Sequence, residues 1–445
     1  MYRKVSGYLE KWLSSDRALL VTGARQVGKT YIIREFLKSS GVDFVEFNLI
    51  ENSLVREAVE VSNNSKELLF RLSALSNKPL KKGETIIFFD EVQASSNILT
   101  VIKFLVENKN YKYILSGSLL GVELKSIESI PVGYMDVLKM YPLDFEEFLI
   151  ANGVSESVIS ELRQCYIELK PIDNVVHKKM IDLFHLYLVV GGMPAVVDAY
   201  IKTNNLKEVV EYQNFINRLY KLDIAKYDVK NKLYLDEIYN LIPSELNNQN
   251  KRFILKDVNK NLKFQKYENS FLWLKNAGVA LPTYCVDEPK EPLVLSKSRN
   301  LFKLFLSDVG LLSSMYMNNM QLRILNKEKD INFGAVYENF VAQELTSKGF
   351  DLFYYKSNKF GELDFVVECD GVIPIEVKSG KVYKRHNALD NVLGVYSEIK
   401  RAFILSNENL SVEDNKIYLP IYCIMFMQKQ ELEDMFYRVD IEDLV

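Results

Sequence analysis

The stretch ALLVTGARQVGKTYIIREFL, from Ala18 to Leu37, decides the fold. Ala18 to Val21 is an uninterrupted apolar run, which suits a strand buried on both faces. Gly23 to Thr30 then carries the pattern GxxxxGK[ST], and Tyr31 to Leu37 continues as a helix. Strand, glycine loop and helix start together make a cradle for phosphate. The backbone N–H groups of Gly23, Ala24, Arg25, Gln26, Val27 and Gly28 are expected to close on phosphate oxygens, helped by the positive potential of the helix N-terminus. Lys29 is expected to reach the β- and γ-phosphates and Thr30 to ligate Mg2+, so ATP is the expected ligand.

Further strands support this. Glu84 to Glu91, ETIIFFDE, is an apolar strand that ends in two acids, and ligands bind at that end of an open parallel sheet. Asp90 is expected to hold Mg2+ and Glu91 to polarise the attacking water. Asp43 to Leu49 makes another strand. YKYILSGSLL makes a fourth, ending at Ser116, Gly117 and Ser118, where Ser116 is placed to touch the γ-phosphate, although Ser-Gly-Ser is also ordinary turn chemistry. Met135 to Met140 is the fifth.

The order GARQVGKT, FFDEVQ, ILSGS, YPLDFEEFL resembles the AAA-type P-loop ATPases of bacteria and archaea that carry a C-terminal domain of unknown function with a nuclease-like fold. GGMPAVVDAY (Gly191 to Tyr200) and KLFLSDVGLL (Lys303 to Leu312) extend the resemblance over nearly the whole chain. It implies an α/β protein in four parts: an ATPase core at 1–150, a helical lid at 151–240, a winged-helix-like region with a connector at 241–320, and a nuclease-like α/β domain at 321–445. One departure stands out. Where such chains often place an arginine before the fifth strand, this one has Tyr134, so no arginine finger is assigned.

Residues 151–240 repeat apolar positions at helical spacing, and the turn Gly191-Gly192-Met193-Pro194 stops a helix. His177 and His185 are two of only three histidines and are expected to pack rather than bind metal. From 241 to 290 come short helices and a strand pair in Gly278 to Val286. The basic residues Lys251, Arg252, Lys256, Lys260, Lys263 and Lys266 serve either a DNA contact or a solvated packing face.

The C-terminal part holds GELDFVVECDGVIPIEVKSG, two strands around an Asp370-Gly371 turn. Glu376 and Lys378 share one strand face, Asp364 lies on the preceding strand, and Glu338 borders the packed stripe of a helix upstream. A hairpin with a wet face could carry this set. The set also resembles that of the PD-(D/E)xK nucleases. That resemblance implies Mg2+ or Mn2+ held by Asp364, Glu376 and Glu338, with Lys378 positioning the attacking water. Lys378, Lys381, Lys384 and Arg385 stand near one acid, Glu376, which would attract a phosphate backbone.

Composition bounds the rest. The 445 residues exceed one ordinary core, and 48% apolar with 26% charged residues is typical of a globular chain. A net charge of −3 argues against a non-specific nucleic-acid coat. Four scattered cysteines, no signal-like start and no long apolar run lead to a cytoplasmic protein with no membrane partner. The candidate partners are ATP, DNA or RNA, and further copies of the chain. Two roles are open: an ATP-dependent enzyme acting on nucleic acid, and an ATP-dependent regulator whose C-terminal domain does not cut.

Overall fold

The apolar run of Ala18 to Val21 becomes the inner strand of a parallel sheet. β1 (Ala18–Gly23) pairs with β4 (Lys112–Ser116) on one side and β5 (Met135–Met140) on the other. β2 (Phe44–Asn48) and β3 (Ile86–Asp90) complete the order β2-β3-β4-β1-β5. β3 is buried at every residue, as its unbroken apolar sequence requires. The computed structural model describes the chain except residues 63, 96, 119–132, 228–231, 249–252, 254–263, 317–319, 329–332, 381 and 430–445.

One face of this sheet packs on the helices Ser53–Val61, Ser65–Leu75 and Ile98–Glu107 in a core of its own. The other face opens into a single continuous core. That core takes in Leu19 and Val27 near the loop, Tyr187 and Val190 of the helical block, Phe305, and Ile375 far along the chain. The helical block comprises Glu156–Glu168, Asn174–Val190, Pro194–Thr203, Leu206–Tyr227 and Lys232–Asn247. No single described helix is long and apolar enough to cross a membrane. His185 is buried and bonded to the Ile181 carbonyl, and burial pushes its imidazole down to about 4. His177 meets the Tyr422 hydroxyl and the Asn407 carbonyl. Both pack, as expected.

The second described sheet has eight strands in the order β12-β13-β11-β10-β9-β8-β6-β7. Its members are β6 (Ala280–Val286), β7 (Lys297–Leu306), β8 (Phe353–Ser357), β9 (Gly361–Glu368), β10 (Val372–Val377), β11 (Ala402–Ser406), β12 (Ser411–Glu413) and β13 (Lys416–Pro420). β9 and β10 form the expected hairpin, turned by Asp370 and Gly371 at φ 48° and 96°.

Two expectations are corrected here. Gly278 to Val286 holds one strand, β6, not a strand pair; its antiparallel partner is β7. Nor does that hairpin stand apart as a wing, because β6 also pairs in parallel with β8. An edge of unpaired N–H and C=O groups is thereby satisfied within one sheet, which runs across the expected boundary at 320/321. Of the basic residues offered for DNA contact, Lys251, Arg252, Lys256, Lys260 and Lys263 lie outside the described residues, and only the backbone of Lys266 is described, in the helix Phe264–Asn276.

The helix Gly334–Ser347 is also more enclosed than a one-sided stripe implies, for every residue from Ala335 to Leu345 is buried. Its polar side chains hold backbone from several directions. Asn339 pairs with both the N–H and C=O of Leu306, Gln343 accepts from Val309 N at 2.9 Å, and Glu344 accepts from Phe145 N at 2.8 Å.

Three short segments meet beside this helix. The Gly192 N–H donates to Asp308 Oδ2 at 2.6 Å, and the Gly192 carbonyl accepts from Leu143 N at 2.7 Å. A Cβ on Gly192 would collide with the Leu143 carbonyl, and one on Gly191 with the Asp308 carboxylate. Gly192→Ala should therefore lower stability by roughly 1–3 kcal/mol, the usual cost of overpacking. Gly7→Ala, at an exposed position of the helix Val5–Trp12 with nothing within 4 Å, should be neutral or slightly stabilising. Urea unfolding of the two variants checks this, and equal midpoints would contradict the packing described.

Candidate functional site

The phosphate loop leaves β1 and enters the helix Lys29–Ser39 through left-handed backbone. Gly23 has φ 139°, Gln26 φ 69° and Gly28 φ 90°. A Cβ at Gly23 would strike the Met140 carbonyl, so that position needs glycine on two counts. The loop is clamped from outside. Arg3 donates to the carbonyls of Val27 and Tyr141 at 3.2 and 2.7 Å and pairs with Glu147. Tyr220 donates to the Arg25 carbonyl, and Arg25 itself pairs with Asp223 at 2.6 Å.

Arg25, Gln26, Gly28, Lys29 and Thr30 line a pocket of about 690 Å³, together with Asp90, Glu91, Ser116, Gly117 and Ser118 from the ends of β3 and β4. Pro194, Ala195, Asp198 and Lys202 of the helix Pro194–Thr203 also line it, with Met1 and Arg3. Lys29 is buried and donates to the carbonyls of Gly23 and Ala24 at 3.0 and 2.8 Å. Thr30 Oγ1 lies 3.0 Å from Asp90 Oδ1, and Ser116 Oγ bonds that same carboxylate oxygen. Burial pushes the Asp90 carboxyl up, while hydrogen bonds from Ser116 and Thr30 oppose the shift.

Glu91 sits at φ 56°, a left-handed conformation uncommon for glutamate. Gln93 Nε2 holds its Oε2 at 2.5 Å and reaches Ser118 Oγ at 3.5 Å. Gln93 was not singled out from sequence, although its position two residues after Glu91 was the available signal. The wall from Pro194 to Lys202 and the clamp by Arg3 had no local signal. At the position matched to an arginine, Tyr134 donates to Glu107 instead.

The C-terminal set lies on the helix Gly334–Ser347 and on β9 and β10. Glu338 is buried, and its nearest described cation is Lys303 of β7 at 3.7 Å. Lys303 is fully buried and also lies 3.0 Å from Glu362 and 4.0 Å from Asp364. Burial works against its charge, but the carboxylates of Glu338, Asp364 and Glu362 outweigh it and hold the ammonium above the ordinary lysine range. Lys378 pairs with Glu376 at 2.6 Å, and Asp364 Oδ2 accepts from Val377 N at 2.8 Å. Burial, then the charge of Asp364, pushes the Glu376 carboxyl up. Among the described residues, no three acids, histidines or cysteines group as a metal shell. The donor set around Glu338 does not fit a divalent ion while an ammonium lies among the oxygens. Lys384 is tied to Glu413, which reduces the positive field expected from this span. The signal for Lys303 was a lone lysine in the apolar run NLFKLFL, but nothing local tied it to Asp364.

Residues 15–149 match an AAA domain, 181–322 a domain of unknown function (DUF8612) and 333–424 another (DUF4143). The second match takes in the helical block from residue 181 and the β6–β7 hairpin. A Haemophilus influenzae protein described as uncharacterized is 23% identical over 425 residues, covering 89% of this chain and 90% of that one. A Walker-type ATPase of Pyrococcus abyssi is similar with 16% identity and a TM-score of 0.42, covering 71% of this chain and 95% of the other. Drosophila ORC bound to DNA is similar with 15% identity and a TM-score of 0.25, over 62% and 66% of the two chains. The AAA match, the parallel sheet and the phosphate loop agree on a P-loop ATPase domain at this end of the chain.

Burial pushes the Lys29 ammonium down to about 8, although Glu91 and Asp90 draw it back up. The charged form is the one that attracts phosphate. ATP affinity should therefore hold below that pH and fall as pH rises through it, by up to roughly tenfold per unit. Calorimetric titrations across the alkaline range would show this decline, with proton uptake on binding. An affinity independent of pH there would contradict it.

Proposed function

We propose that the protein is an ATP-hydrolysing switch whose C-terminal domain engages a partner according to the nucleotide held at the loop. One observation carries this: Thr30 and Ser116 converge on Asp90 in a pocket that residues of the helical block also line. In this role the N–H groups from Gly23 to Gly28 hold phosphate oxygens and Lys29 meets the β- and γ-phosphates. Thr30 and Asp90 offer the hard oxygen donors that suit Mg2+, which when bound offsets phosphate charge. Glu91, steadied by Gln93, orients the attacking water and accepts its proton. Ser116 contacts the γ-phosphate and reports its presence.

The link to the rest of the chain is short. A Cβ on Gly28 would lie 3.6 Å from Pro194, the first residue of the pocket-wall helix, and Gly192 just before it is held by Asp308. Loss of the γ-phosphate at Ser116 and Glu91 is thus offered to an element already tied to β7. The rival role is a nuclease acting on DNA or RNA through Asp364, Glu376, Lys378 and Glu338. The placement of Lys303 among these acids favours a C-terminal domain that binds without cutting.

Lys29→Ala should weaken ATP binding roughly tenfold to a hundredfold, the worth of a charge-assisted hydrogen bond to a buried partner. Unchanged calorimetric binding would contradict the role given to the loop. Glu91→Gln should keep ATP affinity but slow turnover by roughly 10²–10⁴-fold, as expected when a positioned general base is lost. Hydrolysis at the parent rate would move water activation elsewhere. Incubating the pure protein with DNA and RNA, manganese and ATP should leave the nucleic acid intact; cutting that Asp364→Ala abolishes would establish the rival role.

A further inference from the structure

We infer that Lys303 is the built-in cation of the C-terminal acidic cluster, so that Glu338, Glu362 and Asp364 are met by the protein's own buried ammonium and the cluster takes no divalent metal. The inference concerns the acidic cluster alone and stands whether or not the loop hydrolyses ATP.

Four carboxylates, Glu338, Glu362, Asp364 and Glu376, are gathered here from a helix and two strands. Among the described residues three ammoniums lie against them. Lys303 reaches Glu362, Glu338 and Asp364 at 3.0, 3.7 and 4.0 Å, Lys356 reaches Glu362 at 2.7 Å, and Lys378 reaches Glu376 at 2.6 Å. Lys356 and Lys378 remain about a quarter exposed, whereas the Lys303 side chain has no exposed surface at all. Its Nζ also stands 5.0 Å from the centre of the Tyr354 ring, a face that favours a cation.

Desolvating a lone ammonium costs several kcal/mol, and desolvating clustered carboxylates costs more still. Lys303 therefore sits where it does because the acids require a positive charge, and the acids are tolerated because Lys303 supplies it. Mg2+ needs oxygen donors at about 2.0–2.1 Å in near-octahedral array. Such an ion beside the ammonium would place two cations against each other in a dry site, at a separation where their repulsion is large. One of the two must leave, and the lysine is covalently fixed to β7.

Placement in the chain adds a second point. Lys303 and Asp308 belong to one segment, KLFLSDVGLL, and that segment grips the acidic cluster at one end and the Gly192 turn at the other. The cation of the C-terminal cluster is therefore delivered by the element that also contacts the helical block.

The test uses the full chain with manganese alone as probe, followed by electron paramagnetic resonance of the free ion. An Asp90→Asn background removes the carboxylate at the phosphate loop. In that background the chain should bind no manganese that a further Asp364→Asn removes. Lys303→Met should gain one bound ion per chain, lost again in Lys303→Met with Asp364→Asn, and Lys303→Arg should gain none. A manganese site in the Lys303-containing chain that Asp364→Asn abolishes would overturn the inference. So would a Lys303→Met chain with unaltered circular dichroism that binds no ion. If Lys303→Met does not fold, the comparison with and without Asp364→Asn in the Lys303-containing chain decides alone, in the same two directions.

Discussion

A fully buried carboxylate is expensive, and the position of Asp308 shows how this chain accommodates one. Burial pushes its carboxyl up to about 6, while the N–H groups of Gly192, Leu311 and Gly310 pull in the other direction. Those donors can approach only because side chains are missing around it. Gly191 faces the carboxylate directly, and a Cβ on Gly310 would lie 2.6 Å from Gly191 N. The constraint propagates outward. Gly192 must lie against Leu143, Leu143 precedes the Asp144–Glu147 capping box, and Pro194 is set facing the phosphate loop at Gly28. One carboxylate and a few absent methyl groups thus fix the loop, the helical block and β7 relative to each other.

The β6–β7 hairpin carries that fixation into the C-terminal sheet. Its first turn touches the loop as well, since a Cβ on Gly278 would lie 3.1 Å from Ala24 N. Between the two contacts, β6 pairs with β8 and β7 sends Lys303 beneath Tyr354 to the acids on β9 and on the helix Gly334–Ser347. A nucleotide site and an acidic cluster are therefore served by the same two strands, with Lys303 opposite Thr283 and Gly278 just before Ala280, the partner of Leu306. Chemistry at the loop and charge balance at the cluster share a scaffold, which is what a switch requires and what two independently tethered domains would lack.

The parts legible in sequence are those set by local physics. β1 and β3 read as buried strands because a parallel strand covered on both faces leaves no room for polar alternation. Gly23, Gly28 and Thr30 read as a phosphate loop because backbone conformation and spacing alone make that cradle, and Asp370-Gly371 reads as a turn because both positions need positive φ. The illegible parts are long-range. Gly192 and Asp308 are 116 positions apart, and each looks like ordinary turn or cap chemistry until they meet. Lys303 appears in the sequence only as the first residue of KLFLSDVGLL, with no role of its own. The acids Asp364, Glu376 and Glu338 were legible as a set, but Lys303, which lies by Glu338 and Asp364, stands 35 and 61 positions upstream of them and carried no local signal tying it to them.

The central claim is that ATP at the loop is felt along β7 through the Gly192–Asp308 contact. Hydrogen exchange of the intact chain, measured with and without ATP and Mg2+, tests it most directly. Amides of residues 303–312 and 191–193 should gain protection together with those of 23–30. Protection confined to 23–30 and the ends of β3 and β4, with 303–312 unchanged, would contradict the account.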